Sequence, residues 1–179
     1  KGFYDRLPPQ VVMYDQMHRE GVKARNYNCH LMGNNSQLTG CSFGRNGIAP
    51  KFALVGDSHA GAIHKTLADE FDRLGYSFIL YAKNGCPPSV RLEGSLEWHK
   101  NCPQFNNNVI EDIQSKGIDT VILFSRFSWY LDEEGFENSF GVRESKNLYH
   151  YIEGSSRSIS DQVEDKIESM ITFFDVLIN

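Results

Sequence analysis

A serine placed shortly after an apolar run is the residue of this sequence best suited to carry out chemistry. Residues 52–55 predict a short buried strand of a parallel sheet, and Ser58 follows it just before a helical pattern begins. In open α/β sheets, ligands and reacting groups lie at the carboxyl ends of the strands, where the amides that open the next helix can receive an anion. The position therefore suits a nucleophile.

Two further segments follow predicted strands in the same way. Residues 83–88 (Lys-Asn-Gly-Cys-Pro-Pro) come after the second strand, and residues 122–130 (Ile-Leu-Phe-Ser-Arg-Phe-Ser-Trp-Tyr) include the end of the third. With Gly-Asp-Ser-His at residues 56–59 and the Cys29/Cys41 pair, they resemble the SGNH, or GDSL-like, esterases and acyltransferases. The resemblance is greatest to the SGNH domain fused to acyltransferase-3 membrane proteins, which modify bacterial surface polysaccharides, and it covers roughly residues 25–179.

The resemblance assigns roles around Ser58, the expected nucleophile. The backbone amides of Ser58 and Gly85 would stabilise the oxyanion, and Asp57, His59 and Asn84 would support these groups. These families usually add an asparagine from a Gly-x-Asn-Asp block after the third strand. The sequence has Arg126 in that region instead, as a substitute donor or as a contact for an anionic part of the substrate.

The base that would activate the serine is expected outside this chain. SGNH families place a catalytic Asp-x-x-His after a further strand, which here would lie beyond Asn179. The sequence contains that spacing at Asp15 and His18, on the wrong side of Ser58, where an ordinary surface pair on a helix is the better interpretation. The chain begins at Lys1 without an initiator methionine or signal peptide, so we expect it to have been cut from a longer protein.

Composition excludes several classes of protein. A chain of 179 residues with 40% apolar and 23% charged residues is long enough for one soluble domain. The net charge of −5, without a basic run, argues against nucleic acid or an anionic membrane as a direct partner. No apolar stretch approaches the length of a membrane span.

The four cysteines form two local pairs, Cys29 with Cys41 and Cys86 with Cys102. Sequence alone allows three pairings, of which the local one closes the shortest loops. Free thiols in a cytosolic protein are an alternative, and a zinc site using His99 and Cys102 is a weaker one because no Cys-x-x-Cys is present. We expect two disulfides, no metal, and an oxidising compartment such as the periplasm.

Strands and helices alternate along the chain, which predicts a three-layer α/β/α fold with a parallel, flavodoxin-like sheet. Only three strands are predicted, so the last strands of a five-stranded sheet are expected to be missing at the C-terminal end. The predicted strands are residues 52–55, 77–83 and 119–124; the predicted helices are residues 8–25, a helix after Ser58 stopped by Gly75, residues 102–116 stopped by Gly117, and a last helix capped by Ser158 or Ser160.

We divide the chain into an approach segment, residues 1–50, and an SGNH-like domain, residues 51–179. The approach segment carries Cys29 and Cys41 and, after its helix, is rich in Gly, Asn and Ser. An insert at about residues 125–157 breaks the alternation. Its aromatic residues form either a cap over a carbohydrate site or a hairpin packed on the sheet; they are Phe127, Trp129, Tyr130, Phe136, Phe140, Tyr149 and Tyr151.

The function implied by the resemblance is O-acyl transfer or ester hydrolysis on a cell-envelope polysaccharide, with acetyl as the expected group and a serine acyl-enzyme as intermediate. No cofactor is needed. The parent chain would carry a membrane acyltransferase domain that supplies the acyl group, and the domain would be periplasmic and tethered to the inner membrane.

Two other interpretations use the same residues. Residues 56–60 nearly fit the Gly-x-Ser-x-Gly motif of α/β-hydrolases, but Ala60 replaces the second glycine. A non-catalytic glycan-binding or scaffold module would keep the sheet without the triad. A serine-reactive phosphonate distinguishes these, because labelling of Ser58 requires an activated hydroxyl.

Overall fold

The structure is a computed structural model that describes residues 6–24, 29–31, 40–94, 99–131, 150–152, 155–158 and 162–178. Seven strands are described: β1 (His30–Leu31), β2 (Cys41–Gly44), β3 (Phe52–Gly56), β4 (Ser77–Lys83), β5 (Leu92–Gly94), β6 (Thr120–Phe124) and β7 (His150–Ile152). Five helices are described: α1 (Pro9–Ala24), α2 (Ser58–Leu74), α3 (Cys102–Lys116), α4 (Phe127–Leu131) and α5 (Val163–Ile178). The described helices include none that is long and apolar enough to cross a bilayer.

The main sheet is mostly parallel, as predicted. β3 pairs in parallel with β4 on one side and with β6 on the other, so the three predicted strands are neighbours. The far edge of β4 is shared by β1, which is parallel to it, and β2, which is antiparallel. Because all seven residues of β4 are buried, its near-continuous apolar run reflects coverage on both faces.

Helices cover both faces of this sheet, which confirms the three-layer architecture. On one face, Leu54, Phe78 and Leu80 pack with Leu67 and Phe71 of α2. On the other face lie Val55, Ile79 and Tyr81, in one cluster with α3 and α5. The buried helical members of that cluster are Cys102, Phe105, Val109, Ile110, Ile113 and Phe173. The alternation of side chains along β3 and β4 therefore divides the core into two layers.

Most helix ends agree with the predicted stops. Gly75 and Gly117 end α2 and α3 in the left-handed conformation, with φ of 81° and 60°. The predicted start of the last helix is wrong, because α5 begins at Val163 rather than after Ser158, and Ser160 lies outside the described residues. The backbone oxygen of Gln162 accepts from Lys166 in the first turn of α5.

The stretch before residue 50 contributes two strands that we did not predict. The Cys29–Cys41 disulfide joins the residue before β1 to the first residue of β2, with Cα atoms 5.5 Å apart. The Cys86–Cys102 disulfide is also present, with a Cα separation of 5.3 Å. Both expected bonds are thus formed, and free thiols do not occur. The division of the chain at residue 50 stays a prediction.

The described part of the aromatic insert packs on the body of the domain. Tyr130 of α4 shares a small apolar cluster with Leu92, Ile152 and Met170, and Phe127 lies 6.4 Å from Phe174, centroid to centroid. β7 pairs with β5 in a separate two-stranded sheet. Phe136, Phe140 and Tyr149 lie outside the described residues, so a cap over a carbohydrate site stays a prediction.

Candidate active site

A cavity of about 200 Å³ lies at the carboxyl ends of β3, β4 and β6. It gathers all six residues that the sequence assigned to the site, together with three that it did not. The lining residues are Asp57, Ser58, His59, Asn84, Gly85, Arg126, His99, Trp129 and Tyr130. The catalytic roles of these residues stay predictions, but their convergence on one cavity is a property of the fold.

Ser58 is the first residue of α2 and is partly exposed at the cavity. The turn that presents it depends on Gly56, the last residue of β3. A Cβ at that position would overlap the backbone oxygen of Phe124 in β6, so only glycine allows the two strands to lie together there. The serine is therefore held between a rigid strand and the first turn of a helix.

The Asp57 carboxylate connects the turn that carries Ser58 to the loop after β6. The carboxylate is buried, and its Oδ1 accepts from the His59 backbone N–H at 2.8 Å. Its Oδ2 accepts from the Tyr130 hydroxyl at 2.8 Å and from the Arg126 backbone N–H at 3.1 Å. Burial alone would raise the pKa of Asp57, but these hydrogen bonds outweigh it and hold the pKa below its ordinary value. Asp57 is thus an ionised acceptor.

The Asn84-Gly85 loop is fixed on both sides. Asn84 donates its backbone N–H to the Leu31 oxygen at 3.0 Å, and Gly85 is in the left-handed region with φ of 66°. A Cβ on Gly85 would overlap the His99 ring. The next residue, Cys86, is tied to the start of α3 by its disulfide to Cys102. The amide of Gly85 is therefore carried by a preorganised loop, which an oxyanion donor requires.

His99 is a cavity residue whose position the sequence did not decide. The side chain is buried, and this burial, with the nearby positive charge of Lys83, lowers the pKa of His99 to about 4. Lys83 is itself fully buried, and burial lowers its pKa as well. His99 is not part of a zinc site with Cys102, because the Cys102 sulfur is bonded to Cys86. The only sequence feature that could have placed His99 at the cavity was its position inside the Cys86–Cys102 loop.

Arg126, Trp129 and Tyr130 bring the start of the aromatic insert into the site. The Arg126 guanidinium carbon lies 5.2 Å from the centroid of the Trp129 ring, in a cation–π contact. Burial raises the pKa of Tyr130, and the charge of Asp57 raises it further, so the hydroxyl remains a donor. The cavity is therefore lined by aromatic side chains and by a cation that lies against one of them.

Two other histidine-containing features lie outside the cavity. Asp15 of the Asp-x-x-His spacing pairs with Arg19 at 2.8 Å on exposed α1, as an ordinary surface pair would; the His18 side chain lies outside the description. His64 is buried in α2 with Nδ1 2.6 Å from the Gly61 oxygen. The Asp-x-x-His expected beyond Asn179 stays a prediction.

A doubly wound sheet with a serine at the end of a central strand is the arrangement of SGNH-like proteins. The family model described as "SGNH domain (fused to AT3 domains)" matches residues 28–176, and the chain belongs to this family. No curated protein sequence matches the chain significantly.

A solved structure supports the same fold. The periplasmic domain of the lipopolysaccharide acetyltransferase from Salmonella ser. Paratyphi A is similar to this chain at a TM-score of 0.50 and 19% identity. The similarity covers 98% of this chain and 55% of the Salmonella chain. This chain therefore spans about half the length of that relative.

Proposed function

We propose that this domain transfers or hydrolyses O-acyl groups through an acyl-enzyme on Ser58. The observation that carries the proposal is the cavity itself, where a partly exposed serine at the start of a helix lies beside the Gly85 loop and Arg126. Membership of a family of domains fused to AT3 domains supports acyl transfer as the chemistry. The fold alone would not, since one fold hosts many functions.

The chemistry requires a nucleophile, a base and donors for the oxyanion. A base removes the proton of Ser58, and the oxygen attacks the carbonyl carbon of the donor ester or thioester. The amides of Ser58 and Gly85 donate to the resulting oxyanion, and Arg126 adds either a third donor or a contact to an anionic substrate group. The leaving group departs protonated, which leaves an acyl-serine for a sugar hydroxyl or water to attack. The base that removes the Ser58 proton is the histidine of the Asp-x-x-His motif expected beyond Asn179.

The partner and location follow from the family. We expect a membrane AT3 domain to supply the acyl group, with acetyl as the expected group, and the domain to be tethered to the inner membrane on its periplasmic side. Two disulfides fit an extracytoplasmic location. A polysaccharide acceptor agrees with the name of the Salmonella relative and with Trp129 in the cavity wall, because aromatic faces suit sugar rings.

The test is covalent labelling followed by turnover. In the longest form of the protein that is expressed, which should include the base expected beyond Asn179, a fluorophosphonate should add one label, located at Ser58 by peptide mapping, and the Ser58→Ala variant should take up none. Hydrolysis of p-nitrophenyl acetate should fall at least about 1,000-fold in Ser58→Ala, because loss of a nucleophile removes the covalent route. Ser115→Ala, an exposed serine of α3, is the matched control and should keep both properties.

Labelling of the wild-type protein at another residue, or equal turnover in Ser58→Ala, contradicts the proposal. Absence of any label would favour the non-catalytic glycan-binding or scaffold module.

A further inference from the structure

Lys83, the last residue of β4, is a buried lysine to which the proposed reaction gives no role. Its side chain is fully buried, and among the described residues its Nζ has no hydrogen-bond partner. The Nζ lies 5.9 Å from the centroid of the Phe105 ring of α3, in a cation–π contact. A buried ammonium without a counterion lowers stability, and a cation–π contact offsets only part of that loss. An apolar side chain would therefore suit the packing of this position better than a lysine does.

Lys83 also begins the turn that carries the expected oxyanion donor. The Cys86 backbone N–H donates to the Lys83 oxygen at 3.1 Å, and Gly85 occupies the third position of this turn in the left-handed conformation. The ring of His99 lies against Gly85. Burial and, to a smaller extent, the charge of Lys83 lower the pKa of that ring. The ammonium, the neutral ring and the oxyanion turn are therefore neighbours.

A positive charge beside this turn acts more strongly on the tetrahedral intermediate than on the substrate. The substrate oxygen that faces the Gly85 amide is a carbonyl oxygen before Ser58 attacks and an oxyanion afterwards. A charge that is sealed from water acts through a medium of low dielectric constant, and it needs no reorganisation when the oxyanion forms. Only interactions that are stronger in the transition state than in the ground state accelerate the reaction. The buried ammonium is of this kind.

We propose that Lys83 is a positioning residue of the oxyanion turn, whose buried ammonium favours the negative charge that develops at the Gly85 amide. The proposal rests on the acyl-enzyme function above. Lys83 does not line the cavity and acts through the turn that it begins. The loss of stability that accompanies an unpaired buried charge is then the counterpart of its role in the reaction, a conflict that is common at functional sites.

The test compares stability with acylation rate in the longest form of the protein that is expressed. Lys83→Met removes the charge and retains an unbranched side chain. Its unfolding free energy in urea should equal or exceed that of the wild type, because the unpaired ammonium is gone. Its kcat/KM for p-nitrophenyl acetate, which reports acylation of Ser58, should fall about tenfold. Lys65→Met, which removes an exposed lysine of α2, should change neither quantity.

Lys83→Gln is a second variant, which removes the charge and retains a polar end. Its kcat/KM should fall by a similar factor. A folded variant with unchanged kcat/KM overturns the role of Lys83 while the acyl-enzyme stands. A joint loss of stability and rate, or failure of both variants to fold, overturns it too, because the lysine would then support only the fold. Absence of a fluorophosphonate label on Ser58 in the wild-type protein removes the proposed function and this inference together.

A further measurement does not depend on activity. The ¹H–¹⁵N spectra of ¹⁵N-histidine-labelled protein follow the titration of the His99 ring. In Lys83→Met the pKa of His99 should rise from about 4, because the repulsion by the ammonium is lost while burial remains. An unchanged pKa of His99 would show that Lys83 carries no charge beside the turn, and it would overturn the inference.

Discussion

The two histidines of the cavity have opposite environments at the scale of single residues. His59 is accessible and bonded to a carboxylate, whereas His99 is buried beside a cation. The first environment orients the imidazole by a hydrogen bond and leaves part of it exposed. The second keeps the ring neutral, so that it supports the Gly85 loop by packing and polar contact rather than by charge.

The neutral state of His99 predicts a pH dependence of stability. The pKa of His99 falls from the ordinary 6.5 to about 4 in the folded protein. Below pH 6.5 the unfolded chain therefore binds a proton that the folded protein does not, and stability decreases from pH 6.5 down to about 4. The contribution of this residue to the free energy of unfolding changes by roughly 3 kcal/mol over the whole window.

The measurement is urea unfolding of the wild-type protein and His99→Gln at pH 7.5 and pH 4.5. The difference between the two proteins should shrink by about 2 kcal/mol at the lower pH, since most of the window has then been crossed. Asp57 does not confound this result, because its lowered pKa places its own effect below the tested range. Two unfolding free energies that change in parallel with pH would contradict the buried, neutral state of His99.

Sequence indicated only part of the site at this scale. Ser58 and Gly85 were found because each lies two residues after the end of a strand, in a motif with a known backbone requirement. His99 and Tyr130 were not assigned, because their positions depend on a disulfide loop and a short helix that return to the cavity from a distance in sequence. Local patterns carry no such information.

At the scale of elements, the two disulfides have different relations to the site. Cys86–Cys102 closes a loop with a sequence separation of 16 that begins immediately after Gly85. Cys29–Cys41, with a separation of 12, lies beside β1 and β2 at the far edge of β4. The loop lengths are similar, so the chain-entropy contributions to stability should be similar too, about 3 kcal/mol each.

The comparison of the two disulfides predicts that their removal costs similar stability but different amounts of activity. The double variants Cys86→Ser/Cys102→Ser and Cys29→Ser/Cys41→Ser should each lose about 2–4 kcal/mol of unfolding free energy. At a temperature where both remain folded, the first should lose at least about tenfold in esterase rate, because the Gly85 amide is no longer fixed. The second should lose less than about threefold. Equal losses of activity would mean that Cys29–Cys41, acting through β1 and the hydrogen bond from Asn84 to Leu31, fixes the loop after β4 as firmly as Cys86–Cys102 does.

The predictability of elements depended on how strong their local signals were. The three parallel strands, α2 and α3 were predicted within a residue or two, because long apolar patterns end at Gly75 and Gly117. β1 and β2 were missed, since two-residue and four-residue strands among Gly, Asn and Ser have almost no period to detect. The start of α5 was misplaced because nearby serines resemble caps.

At the scale of the whole molecule, the sheet has one covered edge and one open edge in the described residues. β1 and β2 cover β4, whereas β6 pairs only with β3 within the described part of the chain. Beside β6 lies a cavity of about 470 Å³ walled by apolar side chains of β6 and α5, among them Val121, Leu123, Phe174 and Leu177. The expected absence of further strands on the C-terminal side predicted the open edge at β6, whereas the coverage of β4 was not predicted because β1 and β2 were missed.

Hydrogen exchange measures this asymmetry directly. In a parallel ladder, alternate residues of β6 point their amides toward β3 and the others point outward. The outward amides of residues 120–124 should exchange at least about 100-fold faster than those of β3, which has partners on both sides. Amides of Ala53 and Leu54, fully buried in β3, serve as the internal reference.

Uniform protection across β6 would contradict an open edge and show that another strand covers it. A dilution series then identifies that strand, since protection by a second copy decreases on dilution and protection within one chain does not.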